Sequence, residues 1–66
     1  MAKDMDGNTI KVGDEVGFKD DYEKYGTIKS IKKSPYSSGH TIVIDEWDGH
    51  GTHNTHYMDS DRVWLE

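Results

Sequence analysis

Residues 12–31 read V-G-D-E-V-G-F-K-D-D-Y-E-K-Y-G-T-I-K-S-I, and the fold is decided by how this stretch alternates. Val16 and Phe18 are two positions apart, so they share one face of an extended chain while Glu15 and Lys19 take the other. The pattern predicts a strand over residues 15–19. A polar excursion follows over Asp20, Asp21, Tyr22, Glu23 and Lys24, and then a return strand over residues 25–32. Val12-Gly13-Asp14 is a turn signal, and Gly26 marks a place where the backbone bends or approaches a neighbour closely. Ile28 and Ile31 are three apart, which strict alternation cannot place on one face. A bulge near Lys29 and Ser30, or a bend there, restores the register.

Working outward from this hairpin, residues 1–7 are polar and aperiodic and read as a flexible tail ending in an Asp6-Gly7 turn pair. Residues 8–12 suggest a short strand with Ile10 and Val12 on one face. Downstream, S-P-Y-S-S-G at 34–39 is a loop, and residues 40–47 form the strongest strand signal, with Ile42, Val43 and Ile44 consecutive and β-branched. Three such residues in a row suit a strand covered on both faces or one at a barrel corner. Residues 48–51 are a turn, and 52–57 a weakly alternating strand expected to carry Tyr57 inward. Residues 59–61 read as a capped turn with room for one turn of 3₁₀ helix. The closing strand, 62–65, is expected to point Val63 and Leu65 inward and Arg62 and Trp64 outward. No stretch carries helical periodicity over three turns. The expectation is one all-β domain of five or six short strands, closed on itself as a small barrel.

The order of these elements resembles the SH3-like barrel, and among such barrels it is most similar to the short ones of the KOW and Tudor type. The carriers are V-G-D-E-V-G-F at 12–18, G-T-I-K-S-I at 26–31 and D-R-V-W-L at 61–65. The likeness runs from about residue 8 to 65. It implies an architecture, and that architecture hosts many functions.

Composition narrows the functional classes. Only 32% of the 66 residues are apolar, and a chain of this size buries roughly 60% of its unfolded surface, so the core is small. No cysteine is present, which removes disulfides and thiolate chemistry and fits a reducing, cytoplasmic setting. No apolar run approaches the roughly 18 residues of a membrane span, and residues 1–6 lack the apolar core of a signal peptide. Seven lysines balance seven acids over residues 1–35, whereas Arg62 alone opposes six acids over 36–66, giving the net charge of −5. An acidic half disfavours general adhesion to phosphate backbones and favours a basic partner surface.

Four constellations carry chemical expectations. His40, His50, His53 and His56 lie near Asp45, Asp48 and Asp59, and His40, His50 and His56 are the candidate metal set, converging around the 48–51 turn. The competing reading is an exposed polar hairpin. Catalysis is not expected: adjacent acids such as Asp45 and Glu46 point to opposite strand faces, no nucleophile or phosphate-loop motif occurs, and no cofactor is implied. The aromatic residues Tyr22, Tyr25, Tyr36 and Trp64 are the candidate partner-binding groove, with Trp47 and Tyr57 read as core. Resemblance to SH3-like barrels implies that the excursion and the middle loop flank such a groove. Lys29, Lys32 and Lys33 beside Tyr36 are the nucleic-acid alternative, whose competing reading is a strand end guarded by lysines.

These expectations combine into a small accessory or regulatory binding module with a protein partner, no membrane contact, and a monomeric or weakly dimeric state. Nucleic-acid binding, acidic mimicry of DNA and metal binding are the alternatives. The compact format suits a bacterial or bacteriophage product.

Overall fold

The computed structural model describes residues 2–34 and 39–66. It is all-β apart from one 3₁₀ turn: β1 (Glu15–Asp20), β2 (Tyr22–Lys33), β3 (His40–Trp47), β4 (His53–Asp59), the turn Ser60–Arg62, and β5 (Val63–Leu65). All pairings are antiparallel, and one sheet runs in the order β4-β3-β2-β1-β5. The chain therefore meanders through four strands and returns beside the first. The sheet is open: among the described residues, β4 pairs only with β3 and β5 only with β1.

The hairpin of residues 12–31 is present, and tighter than expected. Instead of a five-residue excursion, β1 and β2 pair up to Asp20 and Tyr22, so that Asp21 alone makes the turn with φ 66°. Aspartate tolerates this left-handed conformation better than most residues, and that tolerance allows so short a connection. The irregularity in β2 falls between Ile28 and Ser30, where Lys29 is the extra residue. It brings Ile28 opposite Ile44 and Ile31 opposite Ile42, so both isoleucines reach the core side. Gly26 makes the expected close approach. A Cβ there would stand 2.5 Å from Cγ2 of Ile44 and 2.7 Å from the Asp45 carbonyl oxygen.

The core consists of Ala2, Ile10, Val16, Phe18, Ile28, Ile42, Ile44 and Val63, with Ile31 and Met58 packed against it. Where a loose tail was expected at 1–7, Ala2 and Asp4 are buried. The Asp4 carboxylate accepts hydrogen bonds from the backbone N–H groups of Asp6 (2.9 Å), Asn8 (2.8 Å) and Leu65 (2.9 Å). The Asn8 side chain donates a fourth at 3.3 Å. Met5 N–H adds a bond to the Val63 carbonyl at 2.9 Å. Residues 8–12 are not a strand; a single bridge joins Lys3 to Thr9. The turn at Gly13 (φ 98°) then sends Val12 outward while Ile10 stays in.

Two inward assignments are reversed, and a third residue keeps its side without being buried. Tyr57 is 69% exposed, because β4 pairs so that Ile42 faces Met58 and Ile44 faces His56, which puts Tyr57 opposite Val43 on the other side. Trp47 is 60% exposed for the same parity reason, sharing a face with Val43 and Asp45. Leu65 points to the core side but lies past its edge and is exposed.

Candidate functional site

Register decides which aromatic side chains meet. Gly17 on β1 pairs with Tyr25 on β2 and with Trp64 on β5, so Trp64, Gly17 and Tyr25 form a row across three strands on the face opposite Val16 and Phe18. The indole of Trp64 lies directly over Gly17, in the space that any side chain at 17 would take. This leaves Gly17 buried and Trp64 half-buried. Thr27 pairs with Asp45, so two residues further along each strand Tyr25 and Trp47 stand on the same outer face. Trp47 pairs with His53, whose ring stacks on it at 6.4 Å and 21°.

Tyr25 and Trp47 flank an open, shallow depression of about 270 Å³, completed by Glu15, Gly26, Thr27 and Glu66. A bond from Glu66 N–H to the Glu15 carbonyl, 3.1 Å, holds these two glutamates together. The Tyr25 hydroxyl donates to Glu23 at 3.3 Å, and the neighbouring carboxylate of Glu23, with burial and Glu66 adding to it, pushes the phenol above its ordinary value. Asp45 is engaged by His53 Nδ1 at 2.9 Å.

Of the expected groove, Tyr25 and Trp64 come together. Tyr22 does not join them, because an odd separation from Tyr25 sends it to the opposite face at the hairpin tip, where the Lys24 ammonium sits 5.1 Å from its ring centre. Tyr36 lies outside the described residues. Sequence reasoning missed Trp47, although a signal was present: Ile42 and Ile44 claim the core face, so Trp47 at odd spacing from both belongs outside.

The lysine set divides as well. Lys32 faces Thr41 and Lys33 faces His40 in consecutive pairs, so their side chains leave opposite faces, and Lys29 is the bulged residue. The histidines also separate. His50 is in the 48–51 turn, where its N–H bonds to Asp48 at 2.7 Å and holds that carboxyl below the usual range. His53 is on the outer face. His56 is half-buried against Phe18, with ring centres 4.8 Å apart, and bonds Glu46 at 2.9 Å. His40 begins β3. Among the described residues, no three His, Cys, Asp or Glu side chains come close enough to hold a metal. Among the described residues, no helix is long and apolar enough to cross a membrane.

Compared with protein-family models, curated proteins and solved structures, the chain matches none.

Proposed function

We propose that the protein is a non-catalytic binding module of the cytoplasm, an accessory or regulatory chain built as a small SH3-like barrel, that engages a protein partner through its outer aromatic face. The strand order supports the architecture: a four-stranded meander followed by a fifth strand that returns beside the first is the connectivity expected of such a barrel. The 3₁₀ turn between β4 and β5 carries the chain from one edge of the sheet to the other. The observation that carries the functional reading is the grouping of Trp64, Tyr25 and Trp47 on the face turned away from the core. Exposed aromatic rings with few rotamers are the residues that most often anchor protein interfaces.

The test is capture of partners from lysate on immobilised protein, with Tyr25→Ala and Trp47→Ala as controls. Loss of a specific captured partner with either variant, and retention with Lys32→Ala, is the expected result. A single-stranded oligonucleotide titration provides the opposing outcome. Amide shifts confined to Lys29, Lys32 and Lys33, weakening steeply with salt, would replace the protein-binding reading by a nucleic-acid one.

A further inference from the structure

Resting on that reading, we infer that the depression between Tyr25 and Trp47 receives an arginine side chain from a basic segment of the partner. Two aromatic walls and two glutamates line it, and none of its lining residues is basic. The other acids nearby are occupied, Glu23 by the Tyr25 hydroxyl and Asp45 by His53. Glu15 and Glu66 differ from them: among the described residues neither carboxylate takes part in an ion pair or a side-chain hydrogen bond. Main-chain bonding nevertheless holds these two residues side by side.

Such a site has a negative potential and π faces, and both attract a cation. The raised phenol of Tyr25 responds to the same field, since Glu23 and Glu66 both disfavour a further negative charge there. Guanidinium fits better than ammonium. It is planar and weakly hydrated, stacks on an indole or phenol, and forks toward carboxylates, whereas a lysine head is a strongly hydrated point charge. Size agrees as well: about 270 Å³ falls below the roughly 300–1,000 Å³ of small-molecule pockets and suits one long side chain.

The experiment is an amide and indole NMR titration of the whole protein at low salt with three capped peptides, Gly-Arg-Gly, Gly-Lys-Gly and Gly-citrulline-Gly. Citrulline keeps the shape of arginine and removes its charge. The arginine peptide is expected to move the Trp47 indole N–H and the amides of Gly26, Thr27 and Glu66. The lysine peptide should do so more weakly, and the citrulline peptide should leave them in place. The double variant Glu15→Gln/Glu66→Gln, both at exposed positions, should weaken the arginine peptide by about tenfold, the loss of one charge-assisted contact, with the melting temperature retained. Equal shifts from citrulline, lysine matching arginine, or indifference to the double variant would each overturn the assignment. If the arginine peptide produces no shift while lysate capture still depends on Trp47, the arginine site fails and the protein-binding reading stands. If capture also ignores Tyr25→Ala and Trp47→Ala, both fail.

Discussion

Gly17 and Asp4 show how single residues set this surface and its support. A methyl at Gly17 would overlap the indole of Trp64, so Gly17→Ala must displace the ring or bend β1. We expect a loss of roughly 1–3 kcal/mol, the usual cost of overpacking, read by chemical denaturation. In a Trp47→Phe background, the remaining Trp64 emission should shift to the red; unchanged emission would show that the indole does not lie on Gly17. Asp4 acts by different physics. Burial alone would raise its carboxyl, but the hydrogen bonds from the Asn8 and Leu65 backbone, the Asn8 side chain and the Asp6 backbone outweigh burial and lower it. A carboxyl lowered in the folded state contributes stability that is complete above its unfolded value of 3.8 and disappears as pH falls through the lower folded value. The melting temperature should therefore fall below about pH 3.8, and the acid-side drop should be smaller in Asp4→Asn. Asp4→Ala, which orphans buried donors, should cost roughly 2–3 kcal/mol at neutral pH. The sequence gives little hint of this role: an aspartate between lysine and methionine in a polar stretch has no pattern that reveals a partner 61 positions away.

At the scale of elements, β3 and β4 provide a controlled comparison, because the same strand pair carries two histidine–carboxylate contacts of equal length. His53 and Asp45 meet at 2.9 Å on the outer face, with side chains 59% and 22% exposed. His56 and Glu46 meet at 2.9 Å beside Phe18, with side chains only 16% and 20% exposed. Water screens the first pair and largely leaves the second alone. Double-mutant cycles at pH 6 should give a coupling near zero for His53 and Asp45, and about 1 kcal/mol for His56 and Glu46, the worth of a net buried hydrogen bond. The inner coupling should also persist with added salt; equal couplings would refute the distinction. The two strands also show where reading by pattern succeeds. Residues 40–47 were legible because β-branched residues concentrate there, and the bulge at Lys29 was legible because Ile28 and Ile31 both needed the core. The fate of Tyr57 was not, because β4 contains too few apolar residues to declare its own inward face. Its register comes from β3 across the five-residue connection 48–52, where Asp48 accepts the N–H groups of His50 and Thr52.

For the whole molecule, the all-β class and five of the six expected strands followed from turn spacing, but how the sheet treats its edges did not, because edge protection depends on segments remote in sequence. Closure into a barrel by strand pairing is likewise not made among the described residues, since no ladder joins β4 to β5. The two edges are handled differently. The β5 edge is covered: Met5 N–H meets the Val63 carbonyl and the Asp4 carboxylate meets Leu65 N–H, so the segment read as a tail supplies partners that a neighbouring strand would otherwise provide. The β4 edge, H-N-T-H-Y-M-D, has no lysine, no proline and no bulge to discourage pairing, and carries only its histidines and terminal aspartate. The role of residues 1–5 can be tested by removing them. Their loss deletes the buried Ala2 and the Asp4 bonds, and it uncovers a second sheet edge. At about 4–8 °C per kcal/mol for a domain this small, a loss of roughly 2–3 kcal/mol should lower the melting temperature by about 10–20 °C. Sedimentation at several concentrations, below the new melting point, should show stronger self-association than the full chain, because Val63 and Leu65 then present unpaired backbone groups beside an open core. Proline at Met5 separates the two effects. It removes the Met5 N–H that meets the Val63 carbonyl while keeping Ala2 and Asp4, so it should reproduce a part of the association at a smaller thermal cost. A shortened chain that melts and sediments like the full one would mean that the N-terminal segment neither supports the core nor guards the edge.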